Sequence, residues 1–178
     1  MDDMIIPIDY EIIIPGFPRD VSEGYWNDFE ILTGDVNGDS LSDIIFNTLT
    51  EEFNRTYIAL QDGYSLFNFL QYQDFTDSNG IRSCCWEGAN VLTGDVDNDG
   101  DTDLIWNITN DNFNRIYVGL SRGNGTFNFL QYQDFTDSTG IQKCCWEGAN
   151  VLTGDVDNDG DTDLIWNITN EQYNRTFV

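Results

Sequence analysis

Asp95-Val96-Asp97-Asn98-Asp99-Gly100-Asp101-Thr102-Asp103, running into Leu104-Ile105-Trp106, sets five carboxylates at alternate positions ahead of an apolar run. The stretch recurs unchanged 60 residues later, from Asp155 to Asp163. It recurs in a diverged form 60 residues earlier, as Asp35, Asn37, Asp39, Leu41 and Asp43. Calcium takes roughly 6–8 oxygen ligands and tolerates irregular geometry, so side chains at places one, three, five and nine can wrap around one ion. Place seven usually lends its backbone carbonyl, which makes Leu41 no obstacle. Gly100 and Gly160 at place six let the chain turn sharply without a Cβ, whereas the first loop has Ser40 there.

The candidate ligands are therefore Asp35, Asn37, Asp39, Leu41 and Asp43, then Asp95, Asp97, Asp99, Asp101 and Asp103, then Asp155, Asp157, Asp159, Asp161 and Asp163. Three Ca2+ sites are expected, the first weakest because of Asn37 and Ser40. The acids of one loop repel one another when empty, and a cation offsets that. An EF-hand is excluded, since its twelfth place needs a bidentate Glu and here holds Phe46, Trp106 and Trp166.

The same step of 60 carries Trp26, Trp86 and Trp146, and Arg55, Arg115 and Arg175, and Cys84 to Asn110 is repeated without change at Cys144 to Asn170. Within the second copy, strands are expected near Asn90–Gly94, Thr102–Thr109, Phe113–Leu120 and Thr126–Phe135. These runs are rich in β-branched and aromatic residues and are separated by Gly/Asn/Asp clusters. The expected fold is all-β: three four-stranded, propeller-like blades of 60-residue period. One repeat array over 1–178 is expected, divided as 1–27 (a fourth-strand equivalent and linker), 28–87, 88–147 and a partial repeat 148–178.

Counting back 60 from the fourth strand near Leu66 to Asp74 lands on Ile6 to Ile14, so the tally is one strand, plus four, plus four, plus three. An unpaired edge invites pairing. The N-terminal strand is expected to complete a blade within or between chains. Closure within one chain needs a ring below the usual range of roughly 4–8 blades. Two chains make a six-bladed ring, and donation that does not close makes a filament. A longer array, of which this is a piece, is the other reading.

The pattern Gly-Asp-Val-Asp-Asn-Asp-Gly-Asp-Thr-Asp-Leu-Ile, with its apolar flanks, resembles the FG-GAP/VCBS repeat. That family builds the calcium-bearing propeller of integrin α-subunits and propellers in many secreted bacterial and fungal proteins. The resemblance implies a loop joining the first two strands of each blade, with a structural calcium held by the residues named above. The Phe-Gly and Gly-Ala-Pro signatures are absent. Trp106 and Trp166 follow Asp-Leu-Ile instead, as in the VCBS-like branch.

The charge balance narrows the partners. Against 32 acids stand 7 bases, a net charge of -25, which repels nucleic acid and anionic membrane. The absence of His removes His-based triads and the usual zinc chemistry. Met1-Asp2-Asp3-Met4 has no basic start, and Ile5 to Ile14 is broken by Pro7, Asp9 and Glu11, so neither a signal peptide nor a membrane span is read there.

Cys84, Cys85, Cys144 and Cys145 are disulfide candidates with three connectivities open, free thiols being the other reading. Asn54, Asn107, Asn124, Asn167 and Asn174 head N-glycosylation sequons. The four Trp at repeat positions, Trp86, Trp106, Trp146 and Trp166, are read as core rather than as sugar-stacking faces. The functional expectation is an extracellular, secreted or cell-surface calcium-binding repeat protein with a structural or adhesive role. It associates with itself, and glycans or other extracellular proteins are further partners. The alternative is a carbohydrate-binding lectin propeller. An enzyme is not expected, because the carboxylates are committed to loops and bases are scarce.

Overall fold

The computed structural model describes residues 29–49, 54–64, 66–70, 72–75, 86, 88–109, 114–134, 149–169 and 174–178, with only the backbone of 130–134. The described residues are all-β, in three antiparallel sheets. The first contains β1 (Phe29–Gly34), β2 (Asp43–Leu49), β3 (Asn54–Gln61), β4 (Phe67–Phe69) and β5 (Gln73–Phe75). The second contains β6 (Asn90–Gly94), β7 (Asp103–Thr109), β8 (Asn114–Ser121) and β9 (Phe127–Asp134). The third contains β10 (Asn150–Gly154), β11 (Asp163–Thr169) and β12 (Asn174–Phe177). Each is a meander in which a strand pairs with its sequence neighbour, β3 also taking β5.

The strands of the second repeat fall where the apolar runs and turn clusters put them, to within a residue or so. The first repeat differs. Its outer strand is broken between Phe69 and Gln73, and both halves pair with β3. In the second sheet β9 runs through, with a bulge opposite Ile116 and Val118. The register shift is the same in both, Thr56↔Gln73 to Ala59↔Phe69 matching Ile116↔Gln133 to Gly119↔Phe129. One extra residue on the outer strand is thus absorbed by a bulge in one sheet and by a gap in the other.

The sheets pack face on face. Alternation along a strand sends successive side chains to opposite faces. Val36, Ile45, Ile58 and Phe75 of the first sheet therefore meet Val91, Leu104, Trp106, Tyr117 and Phe127 of the second. From the opposite face of the second, Ile105 and Ile116 meet Ala149, Val151, Trp166 and Ile168. Covered on both sides, β7 is buried from Asp103 to Ile108. Its near-continuous apolar run has that cause. Trp86, Trp106 and Phe129 gather round Phe75 and Tyr117, with ring centroids between 4.7 and 6.0 Å in the closest pairs. Burying such rings contributes about 3–5 kcal/mol each against truncation to Ala.

Polar clamps tie neighbouring sheets. The Gln73 amide donates to the Phe127 carbonyl at 2.8 Å and accepts from the Phe127 N–H at 2.9 Å. Ser121 Oγ donates to the Val36 carbonyl at 2.7 Å, and Thr153 Oγ1 to the Thr93 carbonyl at 3.0 Å. The strand expected at Ile6–Ile14, its pairing within or between chains, and all four cysteines lie outside the described residues.

Candidate metal centres

The registers Gly34↔Asp43, Gly94↔Asp103 and Gly154↔Asp163 make each acidic loop the link between the first two strands of its sheet. The chain reverses through left-handed residues at two places. Place four is Gly38, Asn98 or Asn158, at φ 70°, 57° and 63°. Place six is Ser40, Gly100 or Gly160, at φ 67°, 92° and 101°. Asn tolerates this region better than most residues, and Gly occupies it without strain.

Within the loop the aspartates first satisfy the backbone. Asp95 accepts from the N–H of Asp99 at 3.1 Å and of Gly100 at 2.9 Å, and Asp35 does the same for Asp39 and Ser40 at 3.1 and 2.7 Å. Asp155 accepts from Gly160 at 3.2 Å. Asp39, Asp99 and Asp159 each accept from the N–H two residues on, at 2.9, 2.9 and 3.0 Å. Place nine reaches across the hairpin. Asp103, fully buried, accepts from Val96 N–H at 2.8 Å and from Ser121 N–H at 2.7 Å. Asp43, equally buried, accepts from Val36 at 3.0 Å and Gln61 at 2.9 Å. Asp163 accepts from Val156 at 2.9 Å.

The fit to an ion follows from spacing. One carboxylate oxygen from each of Asp95, Asp97 and Asp99 lies within 4.8 Å of the others, and the same holds for Asp155, Asp157 and Asp159. Two oxygens on opposite sides of a calcium at about 2.4 Å stand about 4.8 Å apart, so each triad matches the span of one ion. An oxygen that accepts one N–H keeps a second lone pair for a cation. The fold therefore brings together places one, three and five. Place nine anchors the hairpin from below. Asp101, at place seven, lies toward the neighbouring loop: a Cβ on Gly38 would sit 2.5 Å from its Oδ1.

The charges are crowded. Burial, then the charges of Asp99 and Asp95, raises the Asp97 carboxyl above the usual range. Burial, then Asp99 and Asp35, raises Asp101. The Asp159 charge chiefly raises Asp157. Burial outweighs two backbone bonds at Asp43 and pushes it up, and it pushes Asp103 up to about 6. A divalent cation placed among these groups reverses the penalty.

The loops also touch each other in sequence, which the acidic pattern alone did not reveal. Thr102 N–H donates to the Asp35 carbonyl at 2.6 Å, and Thr162 N–H to the Asp95 carbonyl at 2.7 Å. Each threonine side chain packs on the glycine before the preceding loop, where a Cβ on Gly34 or Gly94 would lie 2.8 or 2.7 Å from its Oγ1. The signal was present in the 60-residue recurrence of Gly34 and Gly94 beside Thr102 and Thr162. Nothing in one repeat alone says what those residues meet.

Two sequon expectations are corrected. Asn54 and Asn107 are fully buried. Asn54 Oδ1 accepts from Asn47 at 2.8 Å, and Asn107 donates to Asn114 at 2.6 Å, so the folded sheets leave neither amide room for a glycan. Asn124 and Asn174 are exposed, and Asn167 is half-buried. Trp86, Trp106 and Trp166 are core, at 2%, 0% and 4% exposure, which removes them as sugar-stacking faces. Trp146 lies outside the described residues.

Repeated antiparallel sheets, stacked in sequence order and each opened by an aspartate-rich hairpin, define an all-β repeat protein of the propeller type. The sequence matches the FG-GAP-like repeat family twice, over residues 35–106 and 95–166. The chain belongs to that family. A search of curated proteins found no match to it.

Proposed function

We propose that this chain is a calcium-stapled structural module that works outside the cell, in adhesion or in the scaffold of a larger assembly. The observation that carries the reading is the pair of aspartate triads whose oxygens lie within 4.8 Å of one another, one at the head of the second sheet and one at the head of the third. The first loop, with Asn37 in the third place, forms a weaker site. Calcium here is a staple, not a signal: the loops join rigid strands, and the twelfth-place Glu of a sensor is replaced by Phe46, Trp106 and Trp166. An extracellular setting, where calcium is abundant, suits sites of modest affinity. Among the described residues no helix is long and apolar enough to cross a membrane, which says nothing of strands.

Self-association through the edge at Ile6–Ile14 belongs to the same reading. Disulfides among Cys84, Cys85, Cys144 and Cys145, and glycans on Asn124, Asn167 or Asn174, fit the same setting.

Calorimetric titration of the calcium-free chain with Ca2+ tests it. Two stronger sites and one weaker one are expected, with Asp97→Asn and Asp157→Asn each weakening one of the stronger sites toward the first, whose third place is Asn37. Absence of any calcium heat, together with a melting temperature indifferent to calcium, overturns the reading.

A further inference from the structure

Single peptide groups join one acidic loop to the next. The N–H of Thr102 donates to the Asp35 carbonyl at 2.6 Å, and the N–H of Val36, the other end of that Asp35 peptide, donates to Asp43 Oδ2 at 3.0 Å. The second and third loops repeat the path. Thr162 N–H donates to the Asp95 carbonyl at 2.7 Å, and Val96 N–H to Asp103 Oδ2 at 2.8 Å. Each path runs from the peptide between places seven and eight of one loop, through the peptide between places one and two of the loop before it, to the buried place-nine carboxylate of that earlier loop. A further bond, from Asn98 Nδ2 to the Asp159 carbonyl at 3.4 Å, ties place four of the second loop to place five of the third.

A planar peptide carries both ends of each link. In the second loop it has the place-seven carbonyl of Asp101 at one end and the Thr102 N–H, bound to the first loop, at the other. Among the described residues no peptide is cis, so the two ends point in opposite directions. Turning the place-seven carbonyl breaks the bond to the preceding loop, and holding that carbonyl holds the bond. The seat is tight, since Gly34 and Gly94 have no room beside the Thr102 and Thr162 side chains even for a methyl group. An empty loop, by contrast, crowds carboxylates that push it open.

Resting on the calcium-staple reading, we propose that neighbouring loops fill cooperatively, each ordered loop ordering the next through the Thr102 or Thr162 N–H. Place seven offers an ion its backbone carbonyl. Once the Asp161 carbonyl is held, the Thr162 N–H is held with it. So are the Asp95 peptide at place one of the second loop and the Val96 N–H on Asp103. The second loop then has less ordering left to do when its own site fills, which couples the two sites without any change of fold. By linkage the second loop favours the third by the same factor. Repulsion between two bound cations opposes the coupling, and salt screens that repulsion more than it weakens a short hydrogen bond in a packed seat. The staples therefore close together over a narrow range of calcium instead of one by one.

Amide NMR of the full chain, titrated with Ca2+ in about 1 M salt where the screening length is about 3 Å, is the test. The N–H groups of Gly100 and Gly160, each bonded to the place-one aspartate of its loop, report the second and third loops separately. Asp97→Asn and Asp157→Asn change exposed side chains and leave the sheets intact. Asp157→Asn should move the Gly100 midpoint to about fivefold higher calcium, the lower end of such couplings, and Asp97→Asn should move the Gly160 midpoint by the same factor. Hydrogen exchange adds a reading of the link itself: the Thr162 N–H should exchange more slowly in the calcium-loaded parent than in loaded Asp157→Asn. Variants that each move only their own glycine overturn the coupling and leave the staple standing. Coupled midpoints with an unchanged Thr162 exchange rate overturn the peptide route. A chain whose glycines do not respond to calcium at all overturns the staple reading and the coupling with it.

Discussion

Ser40 stands at φ 67°, where Gly100 and Gly160 stand in the other loops. A non-glycine residue in that region costs about 1–2 kcal/mol, and glycine returns about 0.5–1 kcal/mol of that as greater freedom in the unfolded chain. Ser40→Gly should therefore raise stability by roughly 0.5–1 kcal/mol and tighten the first calcium site. Thermal unfolding and calcium titration of the variant check both. Asp103 gives the pH dependence. Its carboxyl is raised to about 6 by burial, against about 3.9 when unfolded. Between those values the folded chain holds a proton that the unfolded chain has released. With calcium chelated, its contribution is largest below about pH 4 and is lost as pH rises through about 6. Asp103→Asn should flatten that part of the melting-temperature profile. It should also lower the profile as a whole, because an amide cannot accept from both Val96 and Ser121.

The hairpins and their neighbours set the next scale. Gly34 and Gly94 are in contact with the threonine of the following sheet, so Gly34→Ala or Gly94→Ala forces two elements apart and should cost about 1–3 kcal/mol. Gly154→Ala, chemically the same change, should be near neutral in the isolated chain. Denaturant melts of the three variants compare them directly. At the other end of the sheets, Asn107 of β7 donates to Asn114 Oδ1 of β8 at 2.6 Å, both side chains being fully buried. Asn107→Ala leaves that acceptor unpaired, and a loss of about 1–3 kcal/mol is expected in the same melts. The pairing explains why asparagine, a poor strand residue, recurs at the ends of β2, β7 and β11. Read as a sequon, the same residue points outward, and the burial of Asn54 and Asn107 decides otherwise.

For the molecule as a whole, the loops hold 13 of the 32 acids, and the three calcium ions proposed above would bring the net charge from -25 to -19. Removing the ions should lower the melting temperature, and by more at low salt, where weaker screening lets repulsion act over a longer distance. Scanning calorimetry with and without a chelator, at two ionic strengths, measures the difference. An equal loss at both would place the effect in local geometry rather than in summed repulsion.

The sequence by itself determined the local structure. Alternating aspartates fixed the hairpins, β-branched and aromatic runs fixed the strands to within a residue or so, and the step of 60 fixed the number of sheets described. These depend on neighbours a few residues apart, or on repetition that can be counted. It also placed Trp86, Trp106 and Trp166 in the core, since fixed repeat positions imply a shared packing environment. Only the tertiary structure decided which face of each strand meets which sheet. It decided, too, that Thr102 and Thr162 key into the preceding loop, and that Gln73 clamps Phe127. It decided that Asp43 and Asp103 reach across the hairpin to accept from two backbone N–H groups each, while the aspartates at places one, three and five of the second and third loops converge. Those outcomes depend on contacts between residues about 60 apart, which packing between sheets creates and no local pattern encodes.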